Sequence, residues 1–296
     1  MELVSIEHLT KKSLPWKETL VIPIGDVQHQ SNRDAVDWKR LQETVDFGVQ
    51  HGAYYIGMAD MIDLESPSNR RALQNSGVYD SVVDALDAKA EELEEELLEV
   101  LKPTKGRWLG LLEGHHFHVH QDGTTTDQRL ARELGAPFLG TSAYVNLTFE
   151  SKAANHWNPR VNIWAHHGRG GGKLLSGPIN QLEHVIKGFD ADIYLVGHHH
   201  KSGAMRHSRV YPVFGPKVGV LDHRDSFLVA CGSYLKGFVE GNKREGRANG
   251  LYAERGMMNP LSLGGVKIWL RPKLKRRPGQ TKAAGGQPYI DISVEI

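Results

Sequence analysis

Short apolar runs recur along the chain, and five of them end abruptly in stretches rich in aspartate or histidine. Runs of about four to eight apolar residues bounded by glycine or polar residues are typical of buried β-strands. These runs cover residues 20–24, 53–56, 107–112, 161–165 and 193–196, and an alternating strand is predicted at 143–149. Apolar residues three or four positions apart predict helices at 34–49, 81–101, 127–134 and 179–186. Strands that alternate with helices predict an α/β fold.

Two polar regions interrupt this alternation. Residues 64–78 contain Pro67 and Gly77, and we expect a long loop there that acts as a lid or a substrate-facing insertion. The acidic run at 91–96 predicts a solvent-exposed face of the helix that carries it. After residue 204 the pattern changes to strands and turns, with strands predicted at 208–214, 226–231, 263–270 and 288–295.

The polar stretches that follow the five apolar runs contain the residue types of a metal site. In α/β sheets, ligands bind beyond the carboxyl ends of the strands, so these stretches are expected to meet. Carboxylates and imidazoles together suit a pair of divalent transition-metal ions. The sequence contains no rival catalytic pattern of the G-x-S-x-G, H-E-x-x-H or C-x-x-C type. The stretches are Asp26-Val27-Gln28-His29, Asp60-Met61-Ile62-Asp63, Gly114-His115-His116, His166-His167 and Gly197-His198-His199-His200.

Composition narrows the class of protein. Of 296 residues, 40% are apolar, which is enough for a sizeable core. The 36 Lys and Arg residues against 35 Asp and Glu argue against binding nucleic acid through bulk charge. The single cysteine, Cys231, excludes an internal disulfide framework and fits a reducing compartment. Because we find neither a signal peptide nor an apolar run of roughly 20 residues, we expect a cytoplasmic protein with no membrane partner.

The order and spacing of the five polar stretches resemble the calcineurin-like metallophosphoesterase family, in its bacterial and phage-type branch. That family's pattern is D-x-H, G-D-x-x-D/N, G-N-H-D/E, a lone His and then G-H-x-H, and the match runs from Gly25 to His200. The resemblance implies a sandwich of two facing mixed β-sheets flanked by helices, with a two-metal site at the strand ends. We expect one domain over residues 1–296, with 64–105 as a cap or insertion and 205–296 supplying strands of the second sheet.

The resemblance also implies a role for each matching residue. His116 would stand beside the leaving-group oxygen as a general acid or charge stabiliser, and Asp63 would orient it. Two divalent ions are implied, Mn²⁺ first and Ni²⁺, Zn²⁺ or Fe as alternatives. Their implied ligands are Asp26, Gln28 and His200 on the first ion, His115, His166 and His198 on the second, and Asp60 bridging both.

Two ligand positions stay open. Gln28 stands where the family has histidine, and His29 follows one residue later. Alternation along an extended backbone favours Gln28 and leaves His29 as the alternative ligand. In the doublet at 166 and 167, His166 is the first choice and His167 the alternative. His115 stands where the family has asparagine, so the second ion would gain a more strongly donating ligand.

Three further residues are candidates for contacting substrate phosphate: Arg169, His118 and Arg129. The alternative interpretations of His118 are an ordinary residue of a polar loop and a ligand of a further metal site. The alternative interpretation of the two arginines is that they form salt bridges. The basic run at 273–277 is either a solvated connector or a contact for a phosphate backbone.

These residues predict a phosphoester hydrolase in which a hydroxide bridging two metal ions attacks phosphorus. We favour a phosphodiesterase that acts on nucleic acid or nucleotides, with DNA or RNA as partner, because of the polar region at 64–78 and the basic run. The alternatives are a phosphomonoesterase and a catalytically weak metal-binding scaffold of the same fold. The sequence leaves the oligomeric state open.

Overall fold

The fold is known from a computed structural model, which describes residues 9–77, 79–150, 157–170, 174, 176–214, 219–244, 246–248, 250–255, 257, 259–275 and 286–296. The strands are β1 (Leu9–Pro15), β2 (Thr19–Ile24), β3 (Tyr54–Gly57), β4 (Trp108–Leu111), β5 (Ser142–Glu150), β6 (Arg160–His166), β7 (Ile193–Val196), β8 (Ser202–Phe214), β9 (Gly219–Ser233), β10 (Lys243–Arg244), β11 (Arg247–Ala248), β12 (Gly264–Gly265), β13 (Lys267–Lys275) and β14 (Gln287–Glu295). The α-helices are α1 (Trp38–Gln50), α2 (Pro67–Ser76), α3 (Asp80–Leu101), α4 (Thr126–Leu134), α5 (Ser176–Val185) and α6 (Tyr252–Arg255).

The larger sheet has the strand order β1-β5-β6-β7-β9-β12, with β8 paired to β9 as a long antiparallel hairpin. β6, β7 and the C-terminal part of β9 are parallel to one another, whereas β5 is antiparallel to β6. At the end of the parallel pair, His166 lies opposite Val196. The two histidine-rich stretches that follow β6 and β7 are therefore neighbours.

The smaller sheet has the strand order β14-β13-β2-β3-β4. Its three strands β2, β3 and β4 are parallel, and β13 runs antiparallel to β2 and β14. Ile24 lies opposite Gly57, and Gly57 lies opposite Leu111. The aspartate- and histidine-rich stretches after these three strands consequently leave the sheet at one edge.

The two sheets face each other across a shared apolar core. Val21 and Ile56 of the smaller sheet belong to one buried cluster with Ile163 and Leu195 of the larger sheet. On the outer face of the smaller sheet, buried side chains of α1, α3 and α4 form a second cluster with β2 and β3. On the outer face of the larger sheet, α5 packs on β6, β7 and β9. The predicted α/β sandwich of two mixed sheets flanked by helices is confirmed.

The prediction of a loop at 64–78 is wrong for residues 67–76, which form helix α2; residue 78 lies outside the described residues. Ser66 caps this helix by accepting a hydrogen bond from the backbone N–H of Asn69, and Pro67 occupies its first turn. Gly77 ends it in a left-handed conformation. None of its described residues is buried, so the helix lacks the apolar face by which a sequence pattern reveals a helix.

The prediction that 91–96 is wholly solvent-exposed is also wrong. Glu94 is buried, and its carboxylate lies 3.0 Å from His120 Nε2. Glu96 is paired with His29 and Arg33. This helix therefore brings acidic side chains to buried histidines on other elements, in addition to packing its apolar side on α1 and α4.

The C-terminal part of the chain contributes to both sheets. β8, β9 and β12 belong to the larger sheet, and β13 and β14 form one edge of the smaller sheet. The basic run at 273–277 is not a connector over 273–275, because these residues belong to β13 and Lys273 is paired with Asp291. Residues 276 and 277 lie outside the described residues.

In the described part of the chain, no helix has the length and apolar character needed to cross a membrane.

Candidate metal centre

The loops that follow β2 and β3 run side by side beyond the end of the smaller sheet. The backbone N–H of Asp26 donates to the carbonyl of Ala59, and that of Gln28 donates to the carbonyl of Asp60, both at 2.9 Å. Asp26 and Asp60 are both buried. The chain thus places two carboxylates next to each other in the interior, where unpaired negative charge is costly.

The backbone is strained at this place. Among the described non-glycine residues, seven have a positive φ, and six of them lie in the loops after β2, β3 and β7. Each such residue costs roughly 1–3 kcal/mol and persists only where the surroundings hold it, which is typical of functional sites. The six values are +49° at Asp26, +47° at Gln28, +72° at Ala59, +48° at Asp60, +64° at His198 and +52° at His200.

Asp60 is held by the loop after β4. Its Oδ1 accepts hydrogen bonds from the backbone N–H groups of His115 (2.6 Å) and His116 (3.0 Å). Its other oxygen, Oδ2, lies 3.0 Å from His167 Nε2 and 4.0 Å from His116 Nε2. One oxygen therefore fixes the carboxylate, and the other points into a group of imidazoles.

Four side chains from four different loops converge at this point. Asp60, His115, His167 and His198 each present one potential ligand atom, and these atoms all lie within 4.8 Å of one another. The Nδ1 atoms of His115 and His198 are 3.3 Å apart. Two nitrogens that share one zinc-like ion at bond lengths of about 2.0–2.1 Å and a tetrahedral angle also lie about 3.3 Å apart.

Hydrogen bonds on the far side of the rings prepare two of these histidines as ligands. His167 donates from Nδ1 to the carbonyl of Met58 (2.8 Å), and His198 donates from Nε2 to the carbonyl of Gly170 (2.7 Å). A neutral imidazole that donates from one nitrogen keeps a lone pair on the other. The free lone pairs are therefore on His167 Nε2 and His198 Nδ1, the atoms that face the cluster.

A second group of potential ligands consists of Asp26, Gln28 and His200. The backbone N–H of His198 donates to Asp26 Oδ2 (2.7 Å), and Gln28 Nε2 lies 3.3 Å from His200 Nε2. Because the two ends of an amide look alike, a flip of the Gln28 side chain would place its oxygen there. A glutamine oxygen can bind a divalent ion together with a carboxylate and an imidazole.

Ser233 at the end of β9 orients His200. Its hydroxyl donates to the carbonyl of Asp26 (2.9 Å), so it accepts from the backbone N–H of Leu235 (3.0 Å) and from His200 Nδ1 (2.8 Å). The free lone pair of His200 is then on Nε2, which faces Gln28. This is the arrangement that proteins use to fix a metal-binding histidine.

The donor set fits two divalent cations. Asp26 Oδ1, Asp60 Oδ2 and His167 Nε2 are buried and have no hydrogen-bond partner among the described residues. Buried polar atoms without a partner are rare in native proteins unless an ion or a water satisfies them. Asp60, His115, His167 and His198 would hold one ion, and Asp26, Gln28 and His200 would hold the other.

The charges of the site are compatible with a bound cation. Burial raises the pKa of Asp26 well above the ordinary value of an aspartate. Burial alone would raise the pKa of Asp60 as well, but His167 and His116 outweigh it and hold this pKa far below the ordinary value. Burial alone would lower the pKa of His167, but Asp60 raises it to about 9, so without a metal a proton on Nε2 balances the carboxylate, and a bound cation would displace this proton. Burial lowers the pKa of His200 to about 3, which keeps it in the neutral, metal-binding form.

His116 lies at the rim of the site and is oriented by Asp63. Its Nδ1 donates to Asp63 Oδ1 at 2.7 Å, and its side chain is 24% exposed. Burial alone would lower the pKa of His116, but the carboxylates of Asp63 and Asp60 outweigh it and raise this pKa. His116 is therefore placed to present a protonated Nε2 to a group bound beside Asp60.

The structure places the two residues of each open pair in different surroundings. His29 is fully buried away from the cluster, 2.7 Å from Glu96 Oε2 and edge-on to Trp38, so Gln28 is the residue that faces His200. His167 lies against Asp60, whereas the first choice, His166, does not belong to the cluster. His166 is the last residue of β6, stacks on Trp164, and accepts a hydrogen bond at Nδ1 from the backbone N–H of Gly168.

The three candidates for phosphate contacts are not among the four clustered ligand residues. Arg129 is paired with Glu91 and Asp122, which matches its alternative interpretation as a salt-bridge residue. His118 is buried between two carboxylates rather than exposed on a polar loop. Arg169 and His166 line a cavity of about 330 Å³ beside α5.

Three supporting residues were not predicted. Asp127 is buried and accepts a hydrogen bond from the backbone N–H of Gly114 (3.0 Å), and burial raises the pKa of Asp127 to about 7. Arg70 of α2 donates to the backbone carbonyls of His115 (2.9 Å) and Phe117. Ser233 is the third. An acid in the first turn of a helix, an arginine in a polar region and a serine at a strand end carry no sequence signal that separates them from ordinary residues.

Comparison with known proteins gives a likeness to solved structures and none at the level of sequence. No protein-family model matches the chain, and no curated protein matches its sequence. Among solved structures, the chain is similar to Vacuolar Protein Sorting 29 from Cryptosporidium parvum, with 13% sequence identity and a TM-score of 0.38. The match covers 94% of this chain and 98% of that chain. A likeness at this level does not bear on function.

Proposed function

We propose that this protein is a phosphoester hydrolase that depends on two divalent metal ions and resembles the calcineurin-like metallophosphoesterases. The observation that carries the proposal is the buried carboxylate of Asp60. Two backbone N–H groups hold its Oδ1, while its Oδ2 lies 3.0 Å from His167 Nε2 and has no other partner among the described residues. A carboxylate in this setting is suited to bridge two cations rather than to stabilise the fold.

The protein's own groups divide the chemistry among them. When bound, the two ions would supply Lewis acidity for a phosphoryl oxygen and an activated water as nucleophile. Asp26 and His198, which belong to the two ligand groups, both have a left-handed backbone, and the backbone N–H of His198 donates to Asp26 Oδ2. Because the ligands come from loops fixed to parallel strands, the site is preorganised before a substrate arrives.

His116 supplies the proton for the leaving group. Its Nδ1–H is engaged by Asp63, so the proton that can move is on Nε2, which is 4.0 Å from Asp60 Oδ2 and faces the same space. Protonation of the leaving oxygen by an imidazole of raised pKa typically contributes about 10²- to 10⁴-fold to a rate. Arg70 supports this loop from behind through the carbonyls of His115 and Phe117.

The substrate class that we propose is a phosphodiester of nucleic acid or nucleotides. The resemblance of the five motifs to the bacterial and phage-type branch supports this choice. The basic run that we expected to favour a polymeric substrate supports it less, because Lys273 is paired with a carboxylate. A short diester such as a cyclic nucleotide therefore fits the described residues better than a long nucleic acid.

Hydrolysis of bis-p-nitrophenyl phosphate and of p-nitrophenyl phosphate tests the proposal. Chelator-stripped protein is assayed with Mn²⁺, Ni²⁺, Zn²⁺ or Mg²⁺ added singly, as wild type and as Asp60→Asn. Asp222→Asn, at an exposed aspartate of β9, is the matched control. We expect metal-dependent diester turnover that Asp60→Asn abolishes and Asp222→Asn retains.

The other outcomes separate the alternatives. Preference for the monoester would replace the substrate class and keep the metal mechanism. Two bound ions without turnover of either substrate would refute the hydrolase and favour a metal-binding scaffold.

A further inference from the structure

A second cluster of buried histidines lies outside the candidate metal centre. His118 and His120 belong to the loop between β4 and α4, and Asp87 belongs to α3. Both imidazoles are buried, and Asp87 Oδ1 lies 2.7 Å from His118 Nε2 and 3.7 Å from His120 Nδ1. The potential ligand atoms of the three residues lie within 4.8 Å of one another.

The rings are oriented as two ligands of one ion would be. Their centroids are 5.0 Å apart and their planes are nearly perpendicular, at 80°. A stacked pair would bury one ring face on the other, whereas this arrangement turns one nitrogen of each ring towards the same carboxylate oxygen. The other oxygen of Asp87 is engaged by the backbone N–H of Gln121 at 3.1 Å, which fixes the carboxylate.

Each histidine is backed by its own buried carboxylate. His118 Nδ1 lies 3.0 Å from Glu65 Oε1, and His120 Nε2 lies 3.0 Å from Glu94 Oε1. A metal-binding histidine almost always donates its second N–H to a carboxylate or a carbonyl, which fixes the tautomer and raises the basicity of the ligand nitrogen. Here both histidines have this carboxylate on the side away from Asp87.

One atom of the cluster has no partner. His120 donates to Glu94 from Nε2, so its Nδ1 carries a lone pair, and this buried atom has no hydrogen-bond partner among the described residues. It points towards Asp87 Oδ1, which is itself an acceptor. Two facing acceptors repel each other unless a proton or a cation lies between them. A cation bound by His120, His118 and Asp87 would satisfy all three, and it would replace the present hydrogen bond of 2.7 Å between His118 Nε2 and Asp87 Oδ1.

We propose that Asp87, His118 and His120 bind one zinc ion, separate from the candidate metal centre. A donor set of two imidazole nitrogens and one carboxylate oxygen favours zinc over Mg²⁺ or Ca²⁺. Water would complete a four-coordinate shell. The side chain of Asp87 is 16% exposed, which gives the site an approach from solvent.

This zinc ion would tie helix α3 to the loop that carries His115 and His116. The loop is already turned back on itself by hydrogen bonds between His118 and Thr126 and between His120 and Thr124. A metal that joins both histidines to α3 fixes the end of this loop, as Arg70 fixes its beginning. The role that the geometry assigns to the ion is therefore structural.

Counting zinc on the full-length protein tests the proposal. Chelator-stripped wild type, His120→Gln, Asp87→Asn and His223→Gln are dialysed against Zn²⁺, and the ratio of zinc to protein is measured by plasma mass spectrometry. His223 is exposed on β9 and serves as the control. We expect the wild type and His223→Gln to bind the same number of ions, and His120→Gln and Asp87→Asn to bind one fewer.

A variant that keeps all three ligands tests the site even if the ligand variants fail to fold. Glu94→Gln can still accept the hydrogen bond from His120 but lacks the charge that makes the imidazole more basic. We expect this change to weaken the binding of one zinc ion by about 10- to 100-fold, the usual effect of altering a residue behind a metal ligand.

Equal zinc content and affinity in all the variants would overturn the proposal. The cluster would then be an ion-pair network in which a protonated His118 lies between Glu65 and Asp87. The zinc content of the Asp60→Asn variant separates this test from the test of the proposed function. If the candidate metal centre bound no zinc, Asp60→Asn would leave the zinc content unchanged, and the remaining ion would still be lost in His120→Gln.

Discussion

Removal of one hydroxyl, in Ser233→Ala, should weaken both the fold and one half of the candidate metal centre. Ser233 is fully buried, and its Oγ makes three hydrogen bonds, to the carbonyl of Asp26, the N–H of Leu235 and Nδ1 of His200. Each lost hydrogen bond to a buried partner costs about 1 kcal/mol. We therefore expect the free energy of unfolding of the metal-free protein to fall by about 3 kcal/mol.

The same change releases the ring of His200. Without a partner at Nδ1, the imidazole loses its fixed tautomer and orientation, and the loss of such a partner weakens metal binding by about 10- to 100-fold. That range corresponds to about 1.4–2.7 kcal/mol of binding free energy. The loss should concern the ion held by Asp26, Gln28 and His200 and leave the other ion in place.

Urea unfolding and metal titration of the same samples measure the two effects. Ser226→Ala is the matched control, because Ser226 is also buried in β9 but makes one hydrogen bond, to the carbonyl of Ala191. It should lose about 1 kcal/mol of stability and no metal affinity. If Ser233→Ala behaved like Ser226→Ala in both assays, the assignment of His200 as a ligand oriented by Ser233 would be wrong.

Four further variants test the placement of individual residues. His167→Gln should reduce metal affinity by at least about 100-fold because it removes a ligand. His166→Gln should leave the metal affinity unchanged. Metal titration of both variants measures this difference between two neighbouring residues. Asp63→Asn should lower kcat by about 10- to 100-fold because it removes the charge that orients His116; full metal content and an unchanged KM would distinguish this from general damage. His29→Gln should lower the free energy of unfolding by about 1–3 kcal/mol, because it disturbs a buried pair with α3, and should spare metal binding; loss of metal in this variant would contradict the placement of His29.

The strand ends could be predicted because a fully buried strand has a recognisable sequence pattern. β2, β4 and β7 are buried at every position, so their apolar runs are unbroken and their ends are sharp. Ligand-bearing loops that follow such strands must gather at one edge of each sheet. The general position of the candidate site followed from this, without knowledge of any distance.

The doublet at 166 and 167 shows where the pattern fails. Successive side chains of a strand face opposite sides of the sheet. Ile163 and Ala165 face the core between the sheets, and His167 continues on their side, whereas His166 follows Trp164 towards α5. Because both faces of β6 are apolar, the sequence does not tell which face is turned towards the site.

Helix α2 and the residues behind the ligands could not be predicted for a different reason. α2 is held by its caps and by Arg70 rather than by an apolar stripe. Asp127 and Ser233 act through hydrogen bonds to groups distant in sequence. The left-handed backbone at Asp60 likewise depends on contacts from other loops. Such long-range contacts leave no periodic signal.

The most direct test of a two-metal centre built on Asp60 is a crystal structure of the Mn²⁺-loaded protein with anomalous scattering data. Two peaks are expected, one beside His115, His167 and His198 and the other beside Asp26 and His200. Both should disappear in Asp60→Asn. A single peak, or density that does not contact Asp60, would contradict the account.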